Sequence, residues 1–352
     1  AHVVTTLAGL RQACGEERVS YARGCNIFEE RSSGTPVFPG DVADNTSLDI
    51  AERYSTRRDM IDEAVDCAKK ADVAVVCVGD LSGIFQTGTV GEGSDVDSLV
   101  LPGIQQDLLE AIVATGTPVV VVLSSGRPYN LGGLETKIAA QVMTFFSGQQ
   151  GGNALAAVLT GAVEPSGRLT LSVPRSAGAG PYFYNHKFKS SGTPVARHFG
   201  SRYPFGHGLS YTTFEFEDLT LESDTVDIET GDVVVSFTIR NTGNRPGISV
   251  PQIYVHDKQA SFVRPVKELK AFGRVELPAG ASKRVRVTIP VDMLNFTGAE
   301  GVRIVEPGRF DLMIGASSGD IRLQTVVDVA GKTRRLPRDW RMESRCEEVP
   351  DS

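Results

Sequence analysis

The sequence predicts an α/β protein, a parallel-sheet α/β sandwich followed by an all-β sandwich. Apolar, β-branched runs at residues 73–78 and 118–123 alternate with helical patterns, as in parallel strands buried on both faces. From residue 213 the pattern changes to period two, with short strands between turn signals. Residues 174–212, between the two regimes, are rich in Gly, Pro and aromatics. The domains are therefore placed at 1–173 for the α/β sandwich, 174–212 for an ordered linker, 213–331 for the β-sandwich and 332–352 for a C-terminal tail.

Taken in order, residues 7–14 read as a short helix and 18–21 as a short strand. Residues 26–56 are polar and read as a connection. Residues 57–70 form an amphipathic helix pattern with Met60, Ile61, Ala64, Val65 and Ala68 on one stripe. The strand at 73–78 follows, then a loop of some 25 residues, then a helix over 103–114. Next come the strand 118–123, an apolar run at 138–146, a helix at 153–159 and a last strand of this part at 169–173. The linker aromatics between Tyr182 and Tyr211 read as packing anchors. Strands are predicted at 232–239, 250–256, 284–289, 309–314 and 321–329, punctuated by Asn241-Thr242-Gly243-Asn244, Pro278-Ala279-Gly280 and Glu306-Pro307-Gly308. The charged tail, with the only tryptophan, Trp340, is expected to be poorly ordered.

Composition narrows the function. The 352 residues are 41% hydrophobic, which suits a packed globular protein of two or three domains. A formal charge of −7 offers no basic footprint for nucleic acid. No apolar run approaches the ~20 residues of a membrane helix. The start AHVVTTLAGL lacks the basic and apolar regions of a signal peptide. Five cysteines, an odd number without CxxC spacing, read as buried free thiols and favour a reducing compartment. The five histidines form no HxxxH pair, so no metal or other cofactor is expected.

The chemistry concentrates in the loop after residue 78. Connections in compact α/β units usually span two to six residues, and longer loops are more often functional. Glu92 lies between Gly91 and Gly93. From spacing alone it reads either as a solvated loop carboxylate or as a general acid/base on a mobile support. An acid protonated at neutral pH needs burial or a neighbouring negative charge. Phe85 offers an apolar wall. Asp95 and Asp97 offer charge, or favour the first turn of the following helix. Gly88, Gly91 and Gly93 do not form a dinucleotide fingerprint, because they stand too far from the strand end. Ser124-Ser125-Gly126 lacks the G-x-S-x-G of a nucleophile elbow and reads as a turn. Arg127 and Tyr129 either line a cleft or cover a strand end.

Several stretches together resemble family 3 glycoside hydrolases. They are the strand with Gly91-Glu92-Gly93-Ser94-Asp95, residues 99–105 (LVLPGIQ), 119–129 (VVVVLSSGRPY), 146–152 (FSGQQGG), 165–169 (PSGRL), 203–212 (YPFGHGLSYT), Asn241-Thr242-Gly243 and 264–272 (RPVKELKAF). The match runs in order from about residue 5 to 329. It implies an α/β sandwich and a fibronectin type III-like sandwich, which in the family follow a (β/α)8 barrel carrying an aspartate nucleophile. It implies retaining hydrolysis of terminal β-linked sugars, with Glu92 as the acid/base. Phe85, Asp95 and Arg127 are expected to bind the substrate. Many relatives read EG-x-DR, where this chain carries Val96 in place of Arg.

The implied activity is that of a β-glucosidase, with a β-xylosidase as the alternative and a non-catalytic sugar-binding or scaffolding protein as a third reading. The implied partners are a β-glucoside or β-xyloside and a barrel-bearing polypeptide or segment, with no nucleic acid and no membrane. Relatives carry an apolar strand ahead of the helix at 7–14, so the parallel sheet is expected to lack one strand.

Overall fold

A computed structural model describes residues 3–29, 53–84, 87–94, 96–179, 182–188 and 200–349. The chain divides into two compact units, Ala1–Val163 with Ser176–Gly178, and Glu164–Arg175 with Ala179–Ser352.

In the first unit, helix α1 (Thr6–Cys14) starts where the Thr5 hydroxyl accepts from the Ala8 N–H at 3.2 Å. It stops at Gly15, whose φ of +97° suits glycine. Helix α2 (Asp59–Lys69) buries Ile61, Ala64 and Ala68, the predicted stripe. Strand β1 (Ala74–Gly79), helix α3 (Gln105–Val113), strands β2 (Val119–Ser124) and β3 (Ala140–Met143), and helix α4 (Gly151–Leu159) complete the unit. The sheet runs β1-β2-β3 and is parallel throughout, with Ala74 opposite Val119 and Val120 opposite Ala140. Ala74, Val76, Val78, Val119, Val121 and Leu123 form one core with Leu108, Leu109 and Ile112 of α3 and the α2 stripe. Helices α1 and α4 meet through glycines, since a Cβ on Gly9 would lie 2.2 Å from the Gly152 oxygen.

Two predicted strands take other forms. Residues 16–18 make a 3-10 turn and 19–26 join no ladder, so nothing completes the strand expected at 18–21. The expected strand at 169–173 reduces to β4 (Val173–Pro174). It pairs antiparallel with β5 (Ser201–Tyr203) in the second unit, not with the parallel sheet. All five cysteines are free as expected, but Cys77 is exposed and the others half-buried.

Parallel pairing alternates the direction of backbone groups along a strand. The Ala74 N–H donates to Pro118 O at 2.9 Å and the Asp80 N–H to Ser124 O at 2.8 Å. Ala74, Val76 and Val78 therefore face β2, and Val75, Cys77 and Gly79 face outward. Gly79 is served by Gln105, whose Oε1 accepts from the Gly79 N–H at 2.8 Å and whose Nε2 donates to the Gly79 oxygen at 2.9 Å. One side-chain amide thus takes the place of a neighbouring strand for one residue. Val75 and Cys77 have no strand beside them among the described residues. A cleft of about 390 Å³ opens along this edge between Cys77–Asp80 and residues 25–29.

The second unit is a β-sandwich. One sheet holds β6 (Phe214–Leu221), β8 (Asp232–Asn241), β13 (Ser282–Pro290) and β19 (Arg345–Val349), ordered β19-β13-β8-β6. The other holds β7 (Thr225–Asp227), β10 (Gln252–Asp257), β11 (Glu268–Phe272), β16 (Gly308–Ser317) and β17 (Asp320–Ala330), ordered β11-β10-β16-β17-β7. Small ladders join β9 (Gly247–Ser249) to β12 (Val275–Leu277), and β14 (Phe296–Thr297), β15 (Arg303–Val305) and β18 (Arg334–Arg335) to one another. The period-two residues Val233, Val235, Phe237 and Ile239 of β8 are fully buried, in one core with Val285, Ile253, Phe310 and Leu312. Linker aromatics anchor on the sandwich as predicted. Tyr184 stacks on Phe205 at 4.2 Å and meets the edge of Tyr254 at 5.8 Å.

The tail is not loose, because β19 extends the first sheet beside β13. Arg334 and Arg341 both converge on the buried Asp292.

The outer edge of β1 makes an exchange prediction. In residues 1–352, the Val76 and Val78 amides are expected to be protected from hydrogen exchange, and the Val75 and Cys77 amides to exchange much faster. Equal protection along β1 would show that the edge is covered.

Candidate active-site loop

The loop grows directly from the carboxyl end of β1, where parallel sheets present their sites. Gly79 ends the strand at φ +136°, and a Cβ there would sit 2.1 Å from the Ser124 oxygen. Asp80 follows, with its side chain fully buried. Its Oδ1 accepts from Thr89 Oγ1 at 2.7 Å and from the Tyr129 hydroxyl. Its Oδ2 lies 2.6 Å from the donating Ser125 hydroxyl and 4.0 Å from Arg127 Nε. Taking a carboxylate out of water costs several kcal/mol, and charge-assisted hydrogen bonds offset that cost.

The loop then doubles back on itself. The Thr89 N–H donates to Leu81 O at 2.7 Å, and the Leu81 N–H to Thr89 Oγ1 at 3.0 Å. The Gly83 N–H donates to Val90 O at 2.9 Å. Gly91 can only be glycine here, since its φ is +132° and a Cβ would lie 1.8 Å from the Gly83 oxygen. The Ser94 N–H closes a β-turn on Gly91 O at 3.0 Å, with Gly93 at φ +67°. Positive φ at the third position is the demand of a type II turn. Glu92 occupies the second position and is exposed at the tip.

Arg127 fastens both shoulders of this turn. Its Nη2 donates to Thr89 O and to Ser94 O, each at 2.9 Å. The Arg127 side chain is 15% exposed. Val90 and Phe146 flank Gly126, where a Cβ would meet them at 3.1 and 3.4 Å, and the Phe146 ring is half-exposed on this rim.

The structure brings Glu92 and Arg127 together in one loop assembly. Phe85 and Asp95 lie outside the described residues. Arg127, expected at the substrate, has its Nη2 engaged by the two loop carbonyls. The Ser125 turn is as read, with the Arg127 N–H donating to Ser125 Oγ at 3.0 Å. Sequence reasoning missed Asp80, Thr89 and the role of Tyr129. An acidic residue at the end of an apolar parallel strand was the available signal. Burial, first, and the Asp80 carboxylate, second, push the Tyr129 phenol well above the usual tyrosine range.

A parallel α/β unit with a glycine-flanked glutamate at its carboxyl edge, followed by a β-sandwich, defines a class, and similarity to known proteins agrees with it. Residues 1–211 match the Glycosyl hydrolase family 3 C-terminal domain, and residues 249–318 match the Fibronectin type III-like domain. The chain belongs to glycoside hydrolase family 3.

The chain is 38% identical to a periplasmic β-glucosidase of Salmonella typhimurium, over 91% of this chain and 42% of that protein. It is 36% identical to a β-xylosidase of Formosa agariphila, over 92% of this chain and 41% of that one. Among solved structures, a β-glucosidase from Erythrobacter marinus superposes with a TM-score of 0.79 at 32% identity, covering 94% of this chain and 44% of its own. The β-glucosidase from Listeria innocua in complex with glucose gives 0.70 at 30% identity, covering 79% and 39%. The chain thus spans less than half the length of these relatives.

The buried phenol carries a pH prediction. The folded state holds the Tyr129 proton more tightly than an unfolded chain, whose tyrosines ionise near pH ~10. This contribution to stability is complete below pH ~10 and is lost as the pH rises beyond it. In a phenolate absorbance titration, Tyr129→Phe is expected to remove one late-ionising tyrosine and make the alkaline loss of stability shallower. An unchanged titration would contradict the burial of Tyr129 against Asp80.

Proposed function

We propose that this chain supplies Glu92 as the general acid/base of a retaining β-glucosidase. The aspartate nucleophile would come from a (β/α)8 barrel outside residues 1–352. The observation that carries the reading is the exposed glutamate on a type II turn whose two shoulders are held by one arginine. Membership of family 3 and the names of the relatives support it, and the share of those relatives left unmatched leaves room for a barrel.

The chemistry runs in two displacements. In the first, the nucleophile attacks the anomeric carbon while the protonated Glu92 gives its proton to the glycosidic oxygen. The bond to the aglycone breaks and a glycosyl-enzyme remains. In the second, the Glu92 carboxylate takes a proton from water as that water attacks the same carbon, and the aspartate leaves. Glu92 is exposed in these residues, so the dry surroundings that keep an acid protonated are contributed by the barrel and the bound sugar.

The Formosa relative favours a second reading, hydrolysis of β-xylosides by the same steps. The two substrates differ by the hydroxymethyl group on the sugar ring. A comparison of aryl β-glucoside with aryl β-xyloside decides between them.

In the assembled enzyme, Glu92→Ala is expected to slow substrates with poor leaving groups far more than activated ones, because only the former need the proton. General acid–base catalysis typically contributes 10²–10⁴-fold, which sets the scale of the loss on poor leaving groups. Added azide is expected to restore part of the turnover by attacking the glycosyl-enzyme. Equal losses on both substrate types without azide rescue would remove Glu92 from this role.

A further inference from the structure

We infer that Asp80, acting through Arg127, is a positioning residue for the Glu92 turn. The inference rests on the reading of Glu92 as acid/base and adds the group that holds it in place.

Among the described residues no hydrogen bond or ion pair holds the Glu92 side chain, which stands exposed at a turn tip between two glycines. Its place is set by the two ends of the turn. Thr89 lies three residues before it and Ser94 two residues after, and one Arg127 nitrogen donates to both carbonyls at 2.9 Å. A single guanidinium therefore fixes the width of the turn. Arg127 in turn leans on the fully buried Asp80, with Nε 4.0 Å from Oδ2. Asp80 also holds the near shoulder directly, through Thr89 Oγ1 at 2.7 Å. Asp80 is tied to the sheet by its backbone N–H, which donates to Ser124 O at 2.8 Å. The chain of contacts runs from the rigid end of β1 through Asp80 and Arg127 to both sides of Glu92.

The chemistry of the partners explains why this group is a carboxylate. Thr89, Ser125 and Tyr129 each donate a hydroxyl to Asp80 and the Arg127 guanidinium faces it at ion-pair distance, a set that a carboxylate, with acceptors on both oxygens, answers throughout. Asparagine has the same shape but turns one acceptor into a donor. With that donor at the Oδ2 position, the Ser125 hydroxyl can swing to Arg127 O, which lies 2.6 Å away. The variant then keeps its hydroxyl network and loses the charge beside Arg127. Arg127→Lys keeps the charge and loses the planar, rigid guanidinium that aims Nη2 at both carbonyls. Both changes loosen the turn without removing Glu92.

The test uses the assembled enzyme with Asp80→Asn, Arg127→Lys and Glu92→Ala, each assayed on an aryl β-glucoside with a poor leaving group and one with an activated leaving group. A misplacement of about 1 Å costs on the order of 10²-fold. For Asp80→Asn and Arg127→Lys, kcat is therefore expected to fall roughly tenfold to a hundredfold on the poor leaving group, with little change on the activated one and in KM. The Ser94 amide is expected to exchange faster in both, while Val76 stays protected. A purely structural role would reduce the amount of active enzyme and lower both substrates alike. If Glu92→Ala shows the leaving-group split and the other two variants do not, the positioning role falls and the acid/base reading stands. If Glu92→Ala shows no split, both fall together. Should Asp80→Asn fail to fold, Arg127→Lys decides the matter by the same measurements.

Discussion

A carboxylate with no solvent exposure sits at the carboxyl end of β1, and the loop beyond it takes its shape from that charge. An isolated buried anion is unfavourable by many kcal/mol, so the fold surrounds Asp80 with three hydroxyls and a guanidinium. Those donors come from Thr89 within the loop and from Ser125, Arg127 and Tyr129 beyond β2. Satisfying one charge therefore ties the loop to the strand end beside it. Burial first and the same contact second raise the Tyr129 phenol, which keeps its proton and remains a donor. The exposed tip is what such an anchored loop leaves free. A glutamate there can meet a substrate while its backbone is held from below.

The second unit repeats the device for a structural end. Asp292 is almost fully buried and accepts from the Arg341 N–H at 2.8 Å, while Arg334 pairs with it from the side. These two arginines bring the tail back onto the sandwich, where β19 then pairs with β13. Buried carboxylates of this kind stabilise little in net terms, because desolvation opposes the Coulomb gain. What they impose is geometry. In one unit the segment fixed is a catalytic candidate, and in the other it is an edge strand.

The sequence revealed whatever depends on local period. The stripe Ile61, Ala64 and Ala68, the apolar runs of β1 and β2, and the alternation Val233, Val235, Phe237 and Ile239 all appear as read. Glu92 stood out because glycines on both sides of an acid are a local signal, and both prove necessary to the turn. Features that depend on distant partners were not legible. Asp80 meets residues 9, 45 and 49 positions away, and no spacing rule links them. Residues 18–21 have strand character but no ladder, because a strand exists only beside another. The charged terminal tail reads as poorly ordered from sequence, whereas Arg334 and Arg341 answer one buried aspartate.

The loop geometry and the proposed chemistry meet at one distance. In a crystal structure of the assembled enzyme with a trapped glycosyl-enzyme, the Glu92 carboxyl is expected about 5–5.5 Å from the nucleophile's carboxyl, with the Arg127 bonds to Thr89 O and Ser94 O intact. A separation too long for direct proton transfer to the leaving oxygen, or another acid standing at that oxygen in place of Glu92, would contradict the role given to this turn.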